Sequence, residues 1–152
     1  MPRIQHIPAQ RYPFANEIQI YISHVNQGGH LDNAQLLSLV SEARLRFFRW
    51  LGYRGELDIE GLSIVVGDMM AQYKSEAFYG ETLQIDMVPD DFNKYGFDLV
   101  FRLRDKDSGR EVARGKTGVV FVGDAPEGGK KVAPLPAAFH ARLQARGHGT
   151  PT

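Results

Sequence analysis

Few residues of this chain combine type and position in a way that could drive chemistry, and most of them stand in or just after the stretch His24-Val25-Asn26-Gln27-Gly28-Gly29-His30. His30 can serve as a base near neutral pH, where imidazole is the side chain that titrates. It can equally fix its own loop through hydrogen bonds. His24 ends an alternating segment in register and fits a structural role. Neither histidine has a second histidine or a carboxylate at ligand spacing, so the spacing predicts no metal. Asp32 and Asn33 are residue types that cap helices, because a short side-chain oxygen accepts from the free amides of a first turn. Glu42 is a carboxylate on the segment that follows. With Arg46 four residues on, it makes an ordinary surface pair worth about 0.2–0.5 kcal/mol. Only enclosure in a dry pocket would raise its pKa and make it a usable base.

Other chemistries are excluded by composition. The 152 residues include no cysteine, which removes thiol nucleophiles, disulfides and thiolate metal sites. Gly28-Gly29 is not a dinucleotide fingerprint, and no serine sits in a Gly-x-Ser-x-Gly setting; no cofactor is expected. Eighteen basic residues balance eighteen acidic ones, and nucleic acid, which needs a clustered basic surface, is not an expected partner. No apolar run approaches the ~20 residues that span a bilayer. The first residues carry no apolar stretch resembling a signal peptide. The expectation is one cytoplasmic globular domain over residues 1–152, large enough to sustain its own core.

The elements that must position these residues follow from periodicity. Glu17 to Ser23 alternates, with Ile18, Ile20 and Ile22 on one face, and reads as a strand with one buried side. The paired glycines then open an irregular loop. Leu36, Val40, Ala43, Phe47 and Leu51 recur at three and four residues, which predicts a long helix with Asp32 or Asn33 as its cap and Gly52 as its stop. Leu37, Leu39, Leu45, Phe48 and Trp50 widen its apolar face until it must be enclosed on most sides. Strands are predicted over Ser63 to Ala77 (as one or two), Thr82 to Val88, Tyr95 to Arg104 and Glu111 to Val122. A turn at Asp105 to Gly109 joins the last pair. The tail from 124 is rich in Gly and Pro, with a short helix near Ala137 to Ala145 and disorder from Gly147 to Thr152. One segregated helix beside a run of hairpin-linked strands is α+β.

Three motifs carry a family likeness. Gly29-His30-Leu31-Asp32-Asn33 with Glu42-Ala43-Arg44 resembles the signature of 4-hydroxybenzoyl-CoA-type thioesterases. Tyr73 to Glu81 resembles their strand and Tyr-Gly-Asp turn, and Val112-Ala113-Arg114-Gly115-Lys116-Thr117 resembles their last strand. The resemblance covers roughly residues 16 to 122. It implies a hotdog fold, in which a curled antiparallel sheet of about five strands wraps one long helix, with its core over about 16–123. It also implies a homodimer, often a dimer of dimers, and an acyl-thioester pocket at the dimer interface.

Such relatives usually place a carboxylate three positions before the glycine of Gly-His, and that position here is Asn26. Some carry a helical acid where this chain has Ser41. By the family's pattern, the backbone amide of Asn33 is the oxyanion donor at the positive end of the helix dipole. Asn26 can orient a water or bond a carbonyl but cannot accept a proton as aspartate does; it is also a residue type at home in a tight loop. Asn26, His30, Asn33 and Glu42 are therefore the candidate site residues. The substrate implied is an acyl-CoA or acyl-carrier-protein thioester, hydrolysed by an oriented water. The alternative is a protein that binds acyl thioesters with little or no turnover, and a dehydratase would require a paired histidine and carboxylate.

Overall fold

The computed structural model describes residues 9 and 11–147. Six strands and two α-helices follow one another: β1 (Phe14–Gln19), α1 (Asn33–Trp50), β2 (Ser63–Tyr73), β3 (Thr82–Asp90), β4 (Gly96–Asp105), β5 (Glu111–Asp124), β6 (Lys130–Val132) and α2 (Ala137–Ala145). The strands form one antiparallel sheet in the order β1-β3-β4-β5-β2, with β6 pairing β5. This is the curled sheet against a long helix that the hydrophobic pattern demands.

Helix α1 begins and ends where its residues dictate. Asp32 caps it, and Gly52, at φ +103°, lets the chain reverse after the last turn. Its buried face is broad: Leu36, Leu39, Val40, Ala43, Phe47 and Phe48 are each at most 4% exposed. They meet the alternate residues of β3 and β4 that also vanish from solvent, Leu83, Ile85, Met87, Leu99, Phe101 and Leu103. Burying each of the larger of these side chains contributes about 1.5–3 kcal/mol, which fixes the axis of the helix against the sheet. The opposite face of the sheet is polar and internally paired. There Arg102 and Arg104 both bond Asp86, and Lys116 bridges Asp68 and Asp98.

The alternating segment at 17–23 divides differently from its sequence pattern. β1 covers Phe14–Gln19, and Ile22–His24 is a 3-10 turn with Ile22 exposed. The period-two pattern persists past the end of the sheet partner, since β3 starts opposite Gln19. β2 is one strand that ends at Tyr73. The tail does more than trail. Phe139 of α2 is fully buried against Phe48, Phe97 and Phe121, and Arg142 donates to the Leu51 carbonyl at the end of α1. Residues 148–152, the rest of the segment expected to be disordered, lie outside those described.

Gly115 of β5 is required by close approach rather than by conformation. A Cβ there would overlap the Met70 carbonyl oxygen and crowd the Phe101 ring. Gly115→Ala should lower stability by about 1–3 kcal/mol or more through overpacking, read as a shift in the urea midpoint.

Candidate active site

The loop before α1 is closed by its asparagine. Asn26 Oδ1 accepts from the amides of Gly28 (3.0 Å) and His30 (3.4 Å), while the Asn26 amide donates to the His30 carbonyl (2.9 Å). The side chain thus holds the Gly-rich turn in shape, with Gly29 at φ +85°. Its side-chain oxygen is engaged, and of the side chain only Nδ2 is left to meet anything else.

The next residues build the helix start. Asp32 Oδ2 accepts from Ala34 N (3.0 Å) and Gln35 N (3.2 Å), and Asp32 O accepts from Leu36 N (2.9 Å). Of the first-turn donors, the Asn33 amide is left without an acceptor among the described residues. From β2, Tyr73 reaches over and donates its hydroxyl to the Asn33 carbonyl (3.0 Å), tying strand to helix. Burial, and then the Asp32 carboxylate, push the Tyr73 phenol above its ordinary pKa, so at neutral pH it is a donor.

These groups surround a cavity of about 430 Å³. Asn26, His30 and Asn33 line it from the loop and helix; Tyr73, Lys74, Ser75 and Glu76 line it from the end of β2 and the segment beyond; Leu31, Leu36, Ala77 and Val112 give it an apolar floor. Cross-links hold the two walls in register. Leu31 N donates to Ala77 O (2.7 Å), Lys74 N and Ser75 N both reach Val112 O, and His30 pairs with Phe78 in an isolated β-bridge. Across the cavity mouth His30 Nε2 stands 3.5 Å from Glu76 Oε2. As a solvated ion pair, with side chains 34% and 63% exposed, this contact would be worth about 0–1 kcal/mol at most.

The structure therefore brings Asn26, His30 and Asn33 together and leaves Glu42 apart. Glu42 bonds Arg46 at 2.9 Å, and Arg46 reaches on to the Glu17 carbonyl of β1. Nine residues of helix, at 1.5 Å each, carry position 42 roughly 13 Å along the axis from Asn33. Ser41 is likewise outside the cavity and donates back to the Leu37 carbonyl (3.1 Å). Sequence reasoning missed Glu76 and Tyr73 as cavity residues. Both lie in the Tyr73–Glu81 motif, but their separation from His30 and Asn33 in the chain gives no spacing signal. Among the described residues no cluster of three His, Cys, Asp or Glu could hold a metal ion, and no helix is long and apolar enough to cross a membrane.

The thioesterase-like superfamily pattern matches residues 21–143. No curated protein matches the sequence. Among solved structures the chain resembles a 1,4-dihydroxy-2-naphthoyl-CoA thioesterase from Synechocystis, at TM-score 0.75 and 19% identity over 90% of this chain and 98% of that one. It also resembles 4-hydroxybenzoyl-CoA thioesterase from Pseudomonas sp. strain CBS-3, at TM-score 0.74 and 15% identity over 85% and 97%. An aspartate-to-asparagine variant of 4-hydroxybenzoyl-CoA thioesterase, complexed with 4-hydroxybenzoyl-CoA, superposes at TM-score 0.76 and 15% identity over 85% and 96%. At these identities the likeness is one of fold, the hotdog arrangement.

The Asp32 cap yields a direct test. Asp32→Ala should destabilise the protein by about 1 kcal/mol through two lost acceptor bonds, and Asp32→Asn should restore most of it, both read by thermal unfolding.

Proposed function

This chain belongs to the thioesterase-like superfamily, and from that premise we propose that it hydrolyses an acyl or aryl-acyl thioester of CoA or acyl-carrier protein. The observation that carries the reading is the Asn33 amide at the start of α1, which meets no acceptor among the described residues and whose residue lines a cavity together with Asn26 and His30. A thioester carbonyl placed there puts its oxygen at the positive end of the helix dipole, where negative charge develops as the tetrahedral intermediate forms. A donor of this kind typically contributes about 10²–10³-fold in rate. The apolar floor suits the acyl group, and the Lys74 ammonium at the wall is a cation for the anionic carrier.

A second reading, binding with little turnover, is favoured by Asn26. Its oxygen is engaged by two loop amides, and an amide cannot take a proton from water. The aspartate-to-asparagine variant of 4-hydroxybenzoyl-CoA thioesterase is complexed with 4-hydroxybenzoyl-CoA, and a protein of this fold that holds a thioester in that way is consistent with this second reading. Glu42 has no part in either reading within one chain, since it is a half-exposed partner of Arg46.

The site is completed, in this proposal, by a second copy. β2 is an eleven-residue strand at one end of the sheet order, with no further strand paired outside it among the described residues, and Val65 and Val66 along it are 46% and 42% exposed. Sedimentation at micromolar concentration should give a homodimer or a dimer of dimers; a monomer would remove the shared-pocket reading.

Thiol release from a panel of aliphatic and aromatic acyl-CoAs separates the two functions. Turnover of at least one supports hydrolysis, and saturable binding without release supports the alternative. Asn26→Asp should raise the rate by about 10²-fold or more, because one carboxylate oxygen can hold the loop amides while the other accepts a proton. Glu42→Gln should leave the rate within about two-fold, as expected for an exposed pair.

A further inference from the structure

The cavity lacks the carboxylate that its loop position would provide, yet it does not lack a base. We propose that Glu76 is a positioning residue that turns His30 into the general base of this site, an inference that rests on the hydrolytic reading above.

Three observations carry it. First, the Glu76 carboxylate has no arginine or lysine partner among the described residues. The nearby Arg110 guanidinium bonds the Glu76 carbonyl and the Glu81 carboxylate instead, leaving His30 Nε2 at 3.5 Å as the group that Glu76 faces. Second, the backbones on both sides of this contact are fixed. His30 is held by Asn26 through its amide and its carbonyl and bridged to Phe78. The 75–77 segment is held by Val112, by Glu111 through the Ser75 hydroxyl, and by Leu31. The scaffold therefore holds the two residues opposite each other. Third, the ring itself is confined. It stands edge-on to Phe78 at 6.0 Å, and it packs over Gly28, where a Cβ would come within 3.1 Å of Cε1 and 3.3 Å of Nε2.

The chemistry follows from the tautomer. With Nε2–H directed to the Glu76 carboxylate, the imidazole lone pair resides on Nδ1, and none of the hydrogen bonds described engages it. A separation of 3.5 Å is long for a hydrogen bond, as catalytic contacts often are before substrate closes the site. A water oxygen attacks the thioester carbonyl carbon while its proton passes to Nδ1, and the carbonyl oxygen becomes an oxyanion at the Asn33 amide. When the C–S bond breaks, the carbonyl re-forms and the departing sulfur takes the proton from the imidazolium. The products are a carboxylic acid and a free thiol, with His30 neutral again. Asn26 then has a defined place beside that pair: it shapes the loop that presents His30.

The test uses the full-length protein, its most active acyl-CoA, and ring-¹⁵N spectra at alkaline pH, where imidazoles are neutral. His30→Ala should lower kcat by at least ~100-fold. Glu76→Ala should lower kcat by about 10–100-fold with KM within two-fold, as loss of a histidine-orienting carboxylate does. In the His30→Ala background the same change should cost nothing further, because the two act as one unit. The His30 ring should be the Nε2–H tautomer in the wild type and lose that preference in Glu76→Ala. An undiminished Glu76 penalty in the His30→Ala background, or the same tautomer mixture with and without Glu76, overturns the proposal. The spectra decide this even if no acyl-CoA of the panel releases thiol, a result that would instead count against the hydrolytic reading. If the wild type adds water to an enoyl-CoA and releases no thiol, the assignment of the pair to hydrolysis is overturned.

Discussion

The arrangement depends on the demand that α1 bury a face too wide for one stripe. Phe47 and Phe48, adjacent in sequence and both fully buried, point to different walls of the enclosure. Phe47 meets Phe14 of β1 and Trp50, while Phe48 meets Phe139 of α2. A helix gripped on two sides near its C-terminal end has little freedom to rotate or slide, and Arg142 on the Leu51 carbonyl closes that end. Its N-terminal end is thereby aimed at the place where β2 stops and the chain crosses towards β3. The cavity lies there because the core put the helix start there.

At that end the helix divides its free amides between the cap and the proposed site. Asp32 takes those of Ala34 and Gln35, and the Asn33 amide is left to the cavity. A capping carboxylate contributes about 1 kcal/mol to the helix, and it also lowers the positive potential that a bound oxyanion would feel. The two demands are reconciled by direction. The cap bonds the second and third amides, and the first, with Asn33 lining the cavity, is the one that the proposed reaction uses. Tyr73 holds the carbonyl of the same residue, which stops this peptide from turning. A preorganised donor of that kind acts without reorganisation at the moment charge develops.

Much of this was legible in the sequence, and the reasons are local. The Asp32 cap, the Gly52 stop and the heptad-like recurrence from Leu36 to Leu51 specify α1 almost residue by residue, because propensity, capping and apolar period agree there. The late strands read equally well, since alternation matches a half-buried sheet. Ile22 misled, because alternation continued past the last available partner. Phe139 was hidden in a segment whose prolines and glycines signal a loose tail, although its ring fills the core between Phe97 and Phe121. In the cavity, the loop and helix contributions were readable because Asn26, His30 and Asn33 lie within eight residues. The other wall was not, because Glu76 meets His30 only through the pairing of distant segments, and no periodicity encodes that.

The exposure of the proposed pair connects its chemistry to assembly. A histidine and a carboxylate with side chains 34% and 63% exposed interact through a high effective dielectric, where a proton-transfer group gains little from its partner beyond orientation. The same pair behind a wall that excluded water would attract far more strongly, as would the oxyanion and the Asn33 amide. Within one chain the cavity has a loop wall, a helix end and the end of β2, but its mouth stays open beside Glu76. The strand that ends there, β2, is also an edge strand of the sheet among the described residues, with Val65, Val66 and Tyr73 partly exposed along it. Satisfying that edge and drying that mouth are therefore coupled requirements. A second chain laid along β2 would remove the liability of an open strand, and it would place new surface close to the one part of the cavity that most needs cover.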